Sequence, residues 1–356
     1  MLPVVSLKGN PKEVGFQYGS ACREMIKKNI DLYFRLFKYY ANLNYQKSCQ
    51  LAQLFIPIIQ KFDPDLWEEI EGIAAGAGVA KEEVLALNVR TELMYPDKLA
   101  TGGECTSIAA LPPATLSGEV LIGQNWDWKP HLKETTVILE IEQINKPKVI
   151  TLTEAGVVGK IGCNSAGLGA CLNILKAPVK KVGLPIHILM RGILNSPRMG
   201  DAIAKIVSMD RGSANNCLIA HRDGLAMDFE MAPSTLDFFY PQNGVIMHTN
   251  HFNSDLLKPL DGNLPEYPDT LLRYGIAHQK LSSRLGKITS ADFQEVFRNH
   301  FNFPNSICRH PDGREHELAQ AQTVVSIIMN LTKKEIYVAE GPPCQGEYGT
   351  LNFSNL

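Results

Sequence analysis

Residues 102–110 read Gly-Gly-Glu-Cys-Thr-Ser-Ile-Ala-Ala, and the texture of the chain changes there. Before this point apolar side chains recur at mixed three- and four-residue spacing over residues 11–40 and 46–62, until Asp63-Pro64 interrupts the pattern. The same spacing predicts helices over 66–77 and 80–93, the latter with Glu82 and Glu83 in its first turn, where carboxylates suit the helix dipole. After it come short runs rich in Val, Ile, Thr and aromatics, punctuated by Gly and Pro, at 105–111, 120–126, 136–141 and 149–152. These read as strands. Further strands are expected at 157–162, 167–172, 216–220, 226–231 and 245–248, and helices at 185–194, 199–208, 269–281 and 290–299. Runs 323–330 and 335–340, separated by Leu331 to Lys334, read as a closing hairpin. Helices first and a sheet-rich remainder make an α+β chain.

Composition narrows the function. The 356 residues are 45% hydrophobic and 20% charged, enough to bury a large core. Thirty-five Lys plus Arg against 37 Asp plus Glu leave a net charge of -2, and no basic block is present to follow a phosphate backbone, so no nucleic-acid partner is expected. No apolar run reaches the roughly 20 residues that span a bilayer, so no membrane partner is expected either. The first residues lack the apolar core of a secretory signal, and the expected location is the cytoplasm. The C-terminal Ser354-Asn355-Leu356 is similar to a peroxisomal Ser-Lys-Leu signal but carries Asn at the middle position. The eight cysteines include no CxxC pair; neither a disulfide framework nor a zinc site is expected from such a scatter.

Cys105 differs from the other seven by its setting. It follows two glycines and one glutamate and opens a strand, and a Gly pair permits backbone conformations that other residues resist. A lone cysteine at a strand start is ordinarily a packing residue. The next strand, however, runs into Asn125-Trp126-Asp127-Trp128 and delivers a carboxylate at the end of the hairpin.

Five stretches together carry a resemblance: GGECTSIAA (102–110), GQNWDW (123–128), TEAGVVGKIGCNSAGLGACLN (153–173), HTNHF (248–252) and NSICRHPD (305–312). With the helical run from Trp67 to Glu92, they resemble, in order, the isopenicillin N acyltransferase (acyl-coenzyme A:6-aminopenicillanic acid acyltransferase) family of N-terminal-nucleophile hydrolases. The resemblance implies a four-layer αββα fold in one domain, with two stacked, mainly antiparallel sheets between helical layers. It implies a precursor that cuts itself between Glu104 and Cys105, leaving a helical segment 1–104 and a sheet-bearing segment 105–356 as an α/β heterodimer. The family pattern has Gly before the cysteine, whereas this chain has the bulkier, charged Glu104.

In that reading Cys105 forms an S-acyl intermediate, activated by its own α-amino group, which titrates near 7.7–8.0. Asp127 would orient that amino group, and Asn250 would donate to the oxyanion. Asn173 is a further polar group facing the nucleophile, and Arg309 would fix either Asp127 or a substrate carboxylate. Taken singly, the two asparagines read as turn residues, Asp127 as a cap and Arg309 as a surface cation. His248 and His251 could ligate a metal, but with no third ligand evident a structural role is expected, and Trp126 and Trp128 read as acyl-pocket wall or core. No cofactor or metal is implied. The expected partners are small amides or acyl-coenzyme A as co-substrate, with the acyl group passing to an amine of the penicillin-nucleus type or to water. The alternatives are a pure hydrolase of N-acyl amines and an uncleaved binding protein.

Overall fold

The computed structural model describes residues 2–94, 104–177 and 182–352. Thr101 to Gly103 and the C-terminal Ser-Asn-Leu lie outside the described residues. In chain order the elements of the N-terminal part are β1 (Val4–Gly9), α1 (Pro11–Ala21), α2 (Arg23–Ala41), α3 (Tyr45–Gln53), α4 (Ile56–Phe62), α5 (Pro64–Ala77), α6 (Lys81–Asn88) and α7 (Arg90–Met94). There follow β2 (Thr106–Ala110), β3 (Leu121–Trp128), β4 (Thr136–Gln143), β5 (Val149–Glu154), β6 (Ile161–Asn164) and β7 (Leu168–Ile174). Then come α8 (Ile186–Leu194), α9 (Met199–Val207), β8 (Asn215–His221), β9 (Leu225–Ala232), β10 (Thr235–Phe239) and β11 (Val245–His248). The chain closes with α10 (Asp269–Ser282), α11 (Ser290–Phe297), β12 (Gln322–Asn330), β13 (Glu335–Glu340) and β14 (Gly349–Asn352).

The strands form two sheets. One has eight strands in the order β1-β4-β5-β6-β7-β8-β9-β10, the other six in the order β11-β2-β3-β12-β13-β14. All neighbours are antiparallel except β1 and β4, which pair in parallel from Val4 opposite Ile138 to Gly9 opposite Gln143. Alternation along β3 explains the stacking. Ile122, Trp126 and Trp128 join the large core shared by the sheets and N-terminal helices, while Leu121 joins a second core beneath α10 and α11. With α1 and α8 against the eight-stranded sheet and α10 and α11 against the six-stranded one, the expected four layers are present.

Helix starts follow capping chemistry. Asn10 caps α1 in a box with Glu13, and Asp63 caps α5 just before Pro64. Helices α1 and α5 then cross at backbone distance. A Cβ placed on Gly15 or Gly19 would lie 2.1 Å from Glu69 O or Ile73 O, and one on Gly72 or Gly76 would lie 2.4 or 2.2 Å from Lys12 O or Phe16 O. Two i, i+4 glycine pairs face each other, and no other residue fits.

Buried polar contacts fasten these helices to the sheet. Glu154 of β5 accepts two hydrogen bonds from Arg90, at 2.8 Å each, and others from Tyr33 and Lys160, both at 2.8 Å. Arg191 of α8 makes a two-pronged contact with Glu69 of α5 at 2.9 and 3.0 Å. Asn88 donates to Gly156 O and accepts from Val158 N–H.

Several expected boundaries are corrected. The periodic stretch 11–40 is two helices broken at Cys22, 46–62 is two broken at 54–55, and 80–93 is two broken at Val89. Residues 157–160 are buried but not strand, because side chains rather than a ladder satisfy much of their backbone; β6 starts at Ile161. Three strands are additional: β1, β10 and β14. Among the described residues no helix is long and apolar enough to cross a membrane.

Candidate active site

Cys105 sits immediately before β2, buried, with 3% of its surface exposed. Its N–H donates to Asn250 Oδ1 at 2.7 Å, and its carbonyl accepts from Arg273 at 2.8 Å. Asn250 is placed by the segment after β11: its N–H donates to Thr270 Oγ1 at 2.8 Å and its side-chain amide to Ile174 O at 2.9 Å. In the uncleaved chain Asn250 therefore presents its carbonyl oxygen, not its amide, to Cys105.

The preceding residue is gripped more firmly. The Glu104 carboxylate is buried, accepts a hydrogen bond from Arg309 and lies 3.7 Å from Arg273. Asp269 of α10 completes the cluster, 3.1 Å from Arg273 and 3.5 Å from Arg309. The two guanidiniums thus share two carboxylates.

Arg309 does not reach Asp127 with its side chain, as one of the sequence readings had it. It reaches Asp127 through the main chain: Arg309 N–H donates to Thr323 Oγ1 at 3.0 Å, and that hydroxyl donates to Asp127 Oδ1 at 2.7 Å. Asp127 Oδ2 has no hydrogen-bond partner among the described residues. Burial drives the Asp127 carboxyl well above its ordinary range, against the Thr323 hydrogen bond and the Arg273 charge. Asn173 lies one step further out, accepting from Ser107 Oγ at 2.6 Å and donating to His248 O at 3.3 Å.

Burial also raises the Cys105 thiol, to about 11, and the Asp127 charge adds to the rise. The Asp127 N–H, the Lys160 ammonium and the Gln124 side chain pull the other way. Lys160 is itself pushed down to about 7 by burial, despite Glu154, and stands over the Trp126 ring at 3.5 Å. His248 and His251 have structural partners. His248 binds Glu230 at 2.8 Å and Thr249 O at 2.7 Å, and His251 binds Thr249 and Thr270 hydroxyls at 3.1 and 3.0 Å. Trp126 and Trp128 belong to the core.

The arrangement is a buried thiol whose two flanking peptide groups are held by hydrogen bonds, next to a buried carboxyl group and a buried lysine. Residues 115–344 match the family profile described as acyl-coenzyme A:6-aminopenicillanic acid acyl-transferase. The chain belongs to that acyltransferase family. It is 32% identical over 358 residues to the acyl-coenzyme A:6-aminopenicillanic-acid-acyltransferase 40 kDa form of Emericella nidulans, covering 99% of this chain and 96% of the relative. A second relative, protein dcd1A of Dictyostelium discoideum, is 22% identical over 59% of this chain and 54% of its own length. Among solved structures, a conjugated bile acid hydrolase from Clostridium perfringens aligns with TM-score 0.52 at 13% identity, covering 71% of this chain and 93% of that one. Penicillin V acylase from Agrobacterium tumefaciens aligns with TM-score 0.50 at 14% identity, covering 71% and 87%. The fold is that of the N-terminal-nucleophile hydrolases.

Four residues of the candidate site escaped sequence reasoning. Arg273, spaced i, i+4 from Asp269, reads as an exposed helix ion pair, yet it is 1% exposed. Gln124 looks like an ordinary strand residue but donates to Leu172 O at 2.6 Å and accepts from Leu172 N–H at 2.8 Å, pinning one sheet to the other. Lys160 lies inside the motif 153–173 but nothing local marks it out there, and Thr323 carries no local signal.

Proposed function

We propose that the chain is a precursor that cuts its own Glu104–Cys105 bond, and that the freed Cys105 then carries acyl groups as thioesters to an amine or to water. The observation behind this reading is the clamp around that peptide: arginines on the Glu104 side-chain carboxylate, Asn250 on the Cys105 N–H of the bond itself and Arg273 on the Cys105 carbonyl just after it. Holding the reacting bond in one geometry removes the largest entropic part of a barrier.

In the first step Cys105 Sγ bonds to the Glu104 carbonyl carbon while its proton goes to the leaving nitrogen. The C–N bond breaks, leaving a thioester and a free α-amine. Water then attacks the thioester, the C–S bond breaks, and the products are the Glu104 carboxylate and a thiol on a chain that starts at Cys105. The new amine takes over as base for its own thiol, with Asp127 and Asn250 as its neighbours; the Asn250 side chain, whose amide is held by Ile174 O before the cut, has to turn to bring that amide to the oxyanion. Asn173, acting through Ser107, holds β2 in place. Segments 1–104 and 105–356 stay together as one domain.

Once the new C-terminal end at Glu104 withdraws from its place, Arg309 and Arg273 lose one of their two carboxylates. That leaves a place for an acyl chain bearing its own acid group, as the aminoadipyl side chain of isopenicillin N does. Small amides and acyl-coenzyme A are the donors this site would take, and no resident cofactor is required.

Intact-mass measurement of the purified protein tests the cut. Two species dividing before Cys105, and one full-length species for Cys105→Ala, are expected; cleavage of the Ala variant would sink the proposal. Acyl release with and without an amine acceptor then separates transfer from hydrolysis. Transfer product supports the acyltransferase reading, and free acid alone supports the N-acyl amine hydrolase.

A further inference from the structure

Four side chains from three segments of the chain meet near the start of β12 and the end of β13. His300 follows α11, Cys308 and His310 flank Arg309 in the segment before β12, and Cys344 follows β13. Each offers one nitrogen or sulfur, and these four atoms all lie within 4.8 Å of one another. From His310 Nε2 the distances are 3.2 Å to His300 Nε2, 3.4 Å to Cys344 Sγ and 3.7 Å to Cys308 Sγ. Zinc bonds of about 2.0–2.1 Å to nitrogen and 2.3 Å to sulfur give tetrahedron edges of about 3.3 Å between nitrogens and 3.6 Å from nitrogen to sulfur. The three edges at His310 match these closely, and the other three lie within 4.8 Å.

We propose that His300, Cys308, His310 and Cys344 form a structural Cys2His2 site for a zinc ion. The absence of a CxxC pair argued against zinc, but that spacing rule concerns ligands supplied by one short loop, and here three separate segments supply them. The scaffold is already in place. Cys308 N–H donates to Asn299 O at 3.0 Å and His310 N–H to Pro304 O at 3.1 Å. Arg298 holds the Cys344 loop through Pro343 O at 2.9 Å and Gly346 O at 3.2 Å. Two thiolates and two neutral imidazoles cancel the charge of a divalent cation, and their softness selects zinc over magnesium or calcium. His300 and Cys344 are exposed and Cys308 is buried, so the ion has an entry path and a closed inner side. Because two ligands bracket Arg309, the ion would also fix the loop that delivers this guanidinium to Glu104.

The test uses the reduced, chelator-treated full chain, titrated with Co(II) and then Zn(II). One equivalent of Co(II) should produce a thiolate charge-transfer band and the intense visible bands of a tetrahedral centre, and one equivalent of Zn(II) should displace it. Cys344→Ser and His300→Ala, both at the surface and away from Cys105, should each weaken binding about 100-fold. In the unmutated protein Zn(II) should protect both thiols from alkylation. Absent or weak octahedral spectra, unchanged affinity in Cys344→Ser, thiols that alkylate equally with and without Zn(II), or a mass lower by two hydrogens from a Cys308–Cys344 disulfide would each overturn the site.

Discussion

Replacing Glu104 by Gln keeps the size of the side chain and removes its charge, leaving two buried guanidiniums to share Asp269 alone. Removing one partner of a buried ion pair costs about 3–5 kcal/mol, because the other charge stays desolvated. Unfolding entropy is about 2.1 cal/mol/K per residue, so a loss of about 3 kcal/mol in a chain of this length lowers Tm by about 4 °C. The comparison belongs in a Cys105→Ala background, where every molecule stays whole and melting reports on the clamp alone. Adding Arg309→Met removes both partners, and the double variant should recover part of the loss, with a coupling of at least about 1 kcal/mol. In the chain that retains Cys105, intact-mass time courses of Glu104→Gln should show cleavage slowed by about 10- to 100-fold, since a poorly placed scissile bond forfeits much of the positional advantage. Equal melting temperatures with and without Glu104, together with wild-type cleavage of the Gln variant, would refute the clamp.

Two further outcomes follow from the packing and charges. Burial disfavours the charged form of His248, but Asp228 and Glu230 outweigh it and raise its pKa from 6.5 to about 9, with His251 facing it as a neutral ring pushed down to about 4. The folded state thus holds a proton that the unfolded chain gives up; this stabilisation is complete below pH 6.5, is lost as pH rises through about 9 and amounts to about 3 kcal/mol. Urea midpoints of Cys105→Ala should fall across that window, and the slope should vanish in the matching His248→Gln variant. In the helices, Gly72→Ala should cost at least about 2 kcal/mol because its Cβ meets backbone. Gly275→Ala in α10, with open space around it, should instead stabilise by about 0.5–1 kcal/mol, and thermal melts of the pair read the contrast of sign.

Most strands after residue 105 were legible because their alternation or apolar runs reflect burial on two packed faces, as in Val149–Glu154 and Asn215–His221. β1 was not. Its burial pattern leaves only Leu7 buried, and its identity as a strand comes from pairing with β4, more than 130 residues away. Long helical patterns also concealed their breaks at Cys22 and Val89, where neither Gly nor Pro marks the turn. At the site, Cys105, Asp127, Asn173, Asn250 and Arg309 could be named in advance from their motifs; Gln124 and Lys160 lie inside two of the same motifs but, like Arg273 and Thr323 outside them, act through contacts that exist only after folding. The same holds for the cysteines: Cys308 and Cys344 meet through the return of β12 and β13, which no local spacing encodes.

β1 has one more consequence. It is the first strand of the chain, yet it forms an edge of the eight-stranded sheet, whose other strands all come from beyond residue 130. A chain broken after Met94 would keep its shape, since the ladder with β4 and the Glu154 contacts need no covalent link. Once unfolded, however, its two pieces would have to find each other in solution, and recovery would depend on protein concentration. The intact chain refolds as a single body at any dilution. A break there would turn an equilibrium structure into one kept by the slowness of its unfolding.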